Sequence, residues 1–208
     1  MATESHAVPG VRRLDSSELE TAVETLALSF DDDPLFRFLL PDGGRRQAWL
    51  RWFHALALGE SLAAGGAWTL HDGPELGVMA LIPPGRWPPP VHDTWNALRW
   101  PTRRPSRRML LSGLPLWRKL LNLHPHLAHL YVYAIGVHPT RQGRGLGGAL
   151  LRRACALADD ARVPAYLETA NPTNLRLYER YGFRVRETVM AYGGPPVWTM
   201  ERPISEPA

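Results

Sequence analysis

Apolar residues recur along this chain at two spacings, and the change between them marks out its elements. Leu19, Val23, Leu26 and Phe30 repeat every three or four residues, which predicts a helix reaching about Ser29, with Ser17-Glu-Leu-Glu20 as its capping box. Asp31-Asp-Asp-Pro34 breaks it. Trp49, Trp52, Phe53, Leu56 and Leu62 predict a longer helix over 45–64, stopped by Gly65-Gly66. Shorter runs read as strands: 11–14, then 67–70 and 77–82, the last two forming a hairpin about His71-Asp-Gly-Pro74. Five prolines within 83–90 make an extended connector that can join neither a helix nor a central strand. Residues 91–123 are helical in pattern but interrupted by prolines 101, 105 and 115.

The second half alternates strand and helix. Residues 130–137 predict a central strand, 145–161 a helix, and 165–168 a strand parallel to the first. That is one βαβ unit, expected to cross over right-handedly. A last helix over 172–181 precedes strands 183–189 and 197–201, an antiparallel pair closing the sheet. The fold class is therefore α/β (α+β), a mixed and mostly antiparallel sheet flanked by helices.

Composition narrows the class. With 208 residues, 45% of them hydrophobic and 21% charged, the expectation is one well-cored domain over 1–208. No apolar run approaches the roughly 20 residues that span a bilayer. The segment Met1-Ala-Thr-Glu-Ser-His6 has no signal-peptide character. A single cysteine, Cys155, allows no internal disulfide and suits a reducing, cytoplasmic setting; on the helix after the glycine loop it reads as a small core residue. The net charge of +4 is almost all arginine, Lys119 being the one lysine. Trp95, Trp100, Arg99, Arg103, Arg104, Arg107 and Arg108 come nearest to a nucleic-acid surface, but read as a solvated helix pair with its tryptophans turned inward. Neither a nucleic-acid nor a membrane partner is expected.

The chemistry gathers after residue 135. Ile135-Gly-Val-His-Pro139 runs into Arg141-Gln-Gly-Arg-Gly-Leu-Gly147, and a helix opens from that loop. Backbone N–H groups at a helix start, made approachable by glycines, suit phosphate oxygens. Gly143-Arg-Gly145-Leu-Gly-Gly148 matches the dinucleotide fingerprint, with Glu168 twenty residues on. However, His138 to Gln142 separate strand from loop, and too little chain follows to build a dinucleotide domain. An ATP-type loop is excluded because no Gly-Lys-Ser/Thr follows.

Gln142-Gly-Arg-Gly145-Leu-Gly147 resembles the Gln/Arg-x-x-Gly-x-Gly/Ala signature of the Gcn5-related N-acetyltransferase (GNAT) superfamily. Asn171 to Phe183, ending Tyr178-Glu-Arg-Tyr-Gly-Phe183, resembles its second signature. With Val163-Pro-Ala-Tyr-Leu-Glu-Thr169 these residues are similar to the branch containing puromycin N-acetyltransferase. The strong likeness covers residues 129–200. A looser one runs through Phe30-Asp-Asp-Asp-Pro34 and Leu81-Ile-Pro-Pro-Gly85.

The resemblance implies a sheet splayed between its fourth and fifth strands, with acetyl-CoA as co-substrate in the split. It implies direct transfer of the acetyl group to a primary amine in a ternary complex, with no metal. Ile135, Gly136 and Val137 would offer backbone groups to the pantetheine arm. Arg141, Gln142, Gly143, Arg144, Gly145, Leu146, Gly147 and Gly148 would hold the pyrophosphate. Gly136 leaves room at closest approach, or marks a bulge. Asn171 and Asn174 both fall where the family places a cofactor-contacting amide. Tyr178 would return a proton to the thiolate, a role its phenol suits because it stays protonated at neutral pH.

The general base is open. Glu168 lies near the family's fifth-strand glutamate, but a strict register would put the base at Tyr166, leaving Glu168 as an anchor or on the opposite face. A water chain is the alternative. Asp31, Asp32 and Asp33 lie beside the acceptor's expected place, where carboxylates would attract a cationic amine, although they also serve to end a helix. His124, His126 and His129 lack a fourth ligand for zinc; one of them, His129 foremost, could line the acceptor cleft. Residues 83–128 read as a proline-rich connector and helical cap on the substrate side. The expected acceptor is a small amine, with a monomer or homodimer as the working unit. A protein amino terminus or lysine, and a non-catalytic acyl-CoA sensor, are the alternatives.

Overall fold

The computed structural model describes residues 10–87 and 106–204. Trp95, Trp100, Arg99, Arg103 and Arg104, with the first part (91–105) of the proline-interrupted helical stretch, lie outside those residues. The chain runs β1 (Val11–Arg13), a 3-10 turn (Ser16–Glu18), α1 (Leu19–Ser29), α2 (Pro34–Leu39), α3 (Gly43–Ala63), β2 (Ala67–Leu70) and β3 (Gly73–Ile82). After the undescribed segment come a π-helical turn (Met109–Gly113), α4 (Leu114–Leu123) and β4 (Leu130–Val137). A 3-10 turn (Pro139–Arg141), α5 (Leu146–Ala161), β5 (Ala165–Thr169), α6 (Pro172–Arg180), β6 (Arg184–Met190) and β7 (Pro196–Arg202) complete the order.

Three local expectations change. The capping box belongs to Asp15 and Glu18, not to Ser17 and Glu20. Asp15 accepts from Ser17 N while Glu18 reaches back to Asp15 N, so a 3-10 turn leads into α1. The Asp-rich break contains the start of a further helix, because Asp33 caps α2 by accepting from the backbone N–H of Leu35 (2.9 Å) and Phe36 (3.3 Å). Pro115 does not break the helical run: the π-helical turn Met109–Gly113 leads straight into α4, with Pro115 in its first turn.

The seven strands lie in the order β1-β2-β3-β4-β5-β7-β6. β4 and β5 are the parallel pair and the other neighbours are antiparallel. Alternation along β3 sorts the two faces. Val78 and Ala80 pack with Leu26 of α1 and Leu58 of α3, whereas Met79 and Leu81 pack with Leu150, Leu151 and Ala154 of α5. At about 25 cal/mol per Å² of apolar surface removed from water, these two faces hold the sheet rigid beneath its open end. That opening lies between β4 and β5. They pair only at Leu130–Ala165 and Tyr131–Tyr166, and beyond those residues they part.

Candidate active site

The split exposes the edge of β4. His138 N donates to Leu76 O (3.0 Å), and antiparallel alternation then turns the backbone of Gly136 toward β3 and that of Ile135 and Val137 toward the split. Gln142 closes the end of this edge by donating its Nε2 to Val137 O (3.1 Å). The irregularity in β4 is not at Gly136. Leu81 pairs with Val132 and Ala80 with Ala134, so Tyr133 is the additional residue of a bulge. Gly136 answers to packing instead. A Cβ there would overlap the Ser29 hydroxyl and stand 2.9 Å from Leu26 Cδ2, so glycine lets α1 approach the sheet.

The loop after β4 delivers a bare helix start. Gly143 and Gly145 adopt φ of +77° and +78°, and no side chain caps α5. The first N–H groups of a 16-residue helix therefore face outward beside the exposed side chains of Arg141 and Arg144. Such a start suits the phosphates of a coenzyme A molecule. Leu146 turns inward as the first core residue of α5, and Gly147 packs near Val137. Gly148 has a packing role too, since a Cβ there would lie 2.6 Å from the Tyr181 hydroxyl, which accepts from Arg152 at 3.0 Å.

One cleft runs from this opening under α2 and α4. It is lined by Asp33, Ile135, Glu168, Asn174 and Tyr178, with aromatic walls from Phe30, Phe36, Phe53, Tyr131, Tyr133 and Trp117. Tyr178 sits on α6, where Phe183 meets its ring edge-to-face at 6.0 Å. Burial, and then the charge of Asp33, raise the phenol well above its ordinary range, so it holds its proton. Asn174 lies in the cleft, whereas Asn171 spends its side-chain oxygen on the N-cap of α6, accepting from Thr173 N at 3.0 Å.

Of the three aspartates, only Asp33 lines the cleft. Asp31 pairs with the buried Arg46 (2.9 Å) and Asp32 with the exposed Arg37 (2.8 Å). Burial raises the Asp33 carboxyl, opposed by the two N–H groups it caps. Tyr166 and Glu168 share one face of β5, separated by the inward Leu167, so the carboxylate does not point away from Tyr166. The Tyr166 hydroxyl is buried beside Glu168 and Thr199, and burial pushes it far up. His124, rather than His129, lines the cleft; His129 stands behind it and His126 is exposed.

Sequence reasoning missed the aromatic walls. Their one signal was Tyr131 and Tyr133 two apart on a strand, and they come to stack at 5.2 Å. It also missed His54, fully buried between Phe30 and Phe53 at ring distances of 4.8 and 5.2 Å. Burial alone lowers that imidazole to about 3.

A mostly antiparallel sheet that opens beside its one parallel pair, with an uncapped helix start at the opening, defines the acetyltransferase class of α/β fold. The family model described as an acetyltransferase (GNAT) domain matches residues 118–185, about a third of the chain.

A mycothiol acetyltransferase of Mycobacterium avium is 38% identical over 90 residues, covering 38% of this chain and 28% of that protein. An N-alpha-acetyltransferase RimI of Mycobacterium tuberculosis is 35% identical over 80 residues, covering 37% of this chain and 51% of that one. These alignments thus span between about a quarter and about half of the relatives' length. Among solved structures, a histone acetyltransferase HPA2 and related acetyltransferase from Corynebacterium glutamicum superposes with a TM-score of 0.72 at 22% identity, over 97% of this chain and 99% of that one. That likeness shows the fold.

Proposed function

We propose that this chain transfers the acetyl group of acetyl-CoA to a primary amine of a small molecule, by direct attack within a ternary complex. One observation carries the proposal: Tyr178, Glu168 and Asp33 converge on a single cleft at the point where β4 and β5 part. Acetyl-CoA, when bound, supplies a thioester carbonyl. The backbone of Ile135 and Val137 would hold its pantetheine arm. The loop from Arg141 through Gly145, with the first N–H groups of α5, would hold its phosphates. Glu168 takes a proton from the amine, and Tyr178 gives one to the departing thiolate. Asn174 is the amide of the pair that faces the bound cofactor. Asp33 draws the ammonium form of the acceptor inward.

A small acceptor is favoured because α4 roofs the substrate side of the cleft with Trp117, Leu120 and Leu121. The likeness to RimI supports a protein amino terminus as the second reading. The test is free-thiol release from acetyl-CoA across a panel of small amines and peptides, with Tyr178→Phe alongside. Release with one amine class, reduced about 10²-fold or more in the variant, supports the proposal. Tight coenzyme A binding with no release from any acceptor would make the chain a sensor of acyl-CoA.

A further inference from the structure

Behind Glu168 lies a pair of imidazoles whose proton positions can be deduced. His129 Nδ1 is 2.7 Å from Leu127 O, and a carbonyl only accepts, so Nδ1 carries the hydrogen. Burial disfavours the charged form of His129, which leaves Nε2 as a lone pair. His124 Nε2 lies 2.9 Å from that nitrogen and must therefore be the donor. The remaining nitrogen of His124, Nδ1, faces Glu168 Oε1 at 3.7 Å. With Nε2 committed, a neutral His124 presents a lone pair to the carboxylate. The contact is attractive only when one proton lies on Nδ1 or on Oε1.

We infer that His124, its tautomer set by His129, is a positioning residue that shares the proton Glu168 removes from the amine. The inference rests on the proposed acetyl transfer. The proton leaves the ammonium nitrogen for Glu168, whose free carboxylate accepts it, and passes to His124 Nδ1. The amine keeps its lone pair for attack. His124 becomes an imidazolium still donating from Nε2 to His129, and it returns the proton to water when the cleft empties. Trp87 stacks on the His124 ring at 4.0 Å and 22°, face to face, an arrangement that attracts a positive charge. The titratable groups facing His124 are Glu168 and Tyr166 from β5, Tyr131 from β4 and His129 from the turn before it. Glu201 of β7 acts on the outer member, His129. Both tyrosines stay neutral because burial raises them, so the one proton is divided between carboxylate and imidazole.

The first experiment needs no turnover. Imidazole nitrogen NMR of the unaltered protein across pH 5–9 should show His129 protonated at Nδ1 alone. His124 should keep its hydrogen at Nε2 while Nδ1 titrates. The opposite tautomer at either ring, or an Nδ1 that does not titrate, overturns the inference whatever acceptor the chain proves to use. The second is the kcat–pH profile of His124→Gln and His129→Phe. His124→Gln should move the ascending limb by more than about one pH unit and lower kcat at pH 7 about 10- to 100-fold, leaving KM for acetyl-CoA unchanged. His129→Phe should move the limb the same way by less. Folded variants whose limb stays where it was would reduce the histidines to packing. Correct tautomers without any acetyl transfer would instead sink the proposed function.

Discussion

Gly136 of β4 and Leu26 of α1 are so close that a Cβ on the glycine would stand 2.9 Å from the leucine Cδ2. The helix lies on the sheet at this point because one residue has no side chain. The opposite edge of the same strand, at Ile135 and Val137, bounds the split in which the chemistry is proposed.

Gly136→Ala should accordingly destabilise the fold by about 1–3 kcal/mol, the usual penalty of overpacking a filled interface. Thermal unfolding checks it. Because the backbone of Gly136 faces β3, coenzyme A affinity of the folded fraction should change little; an unaltered Tm with lost affinity would overturn this account.

Gly145→Ala should do the reverse. Nothing lies within 4 Å of a Cβ there, but φ is +78°, and a left-handed alanine costs about 1–2 kcal/mol. Relief of that strain would reorient the first N–H groups of α5. Titration calorimetry should find coenzyme A bound about tenfold more weakly, with the melting temperature only slightly lowered.

Asp33 combines a cap with a charge, and two substitutions separate them. Asn is as good an N-cap as Asp, so Asp33→Asn should keep the Tm while raising KM for a cationic amine about tenfold. Asp33→Ala should additionally lose about 1 kcal/mol of stability. Equal KM values in the two charge states would remove Asp33 from acceptor binding.

His54 sets an acid limit on stability. Its folded value is depressed to about 3, whereas the unfolded imidazole titrates near its ordinary 6.5, so the unfolded state binds the extra proton first. The contribution is present above pH about 6.5 and is lost as pH falls toward 3, on the order of 1.4 kcal/mol per unit. His54→Phe, placed between Phe30 and Phe53, should flatten the decline of Tm between pH 6.5 and 5. A parallel decline in the variant would assign that limb to other groups.

Much of this architecture was legible in the residues alone. Helical and alternating periodicity located α1, α3, α5, α6 and every strand, because burial on one face writes its period into the sequence. Gly143 and Gly145 announced the loop through the positive φ that glycine tolerates, and that loop with Asn171 to Phe183 carried the resemblance to a family. Other properties depend on residues far apart in the chain meeting in space. That β4 and β5 part after Tyr131 and Tyr166 is a matter of sheet register. That Asn171 caps a helix while Asn174 faces the cleft follows from where α6 begins. Asp33 reaches the cleft and Asp31 does not, because Arg46 of α3 takes the latter. The same holds for Glu168: a carboxylate on a strand has no stated partner until the turn before β4 sets His124 beside it and His129 behind that. Local pattern encodes burial and turns, whereas the proton chemistry of a side chain is set by neighbours that only the folded chain supplies.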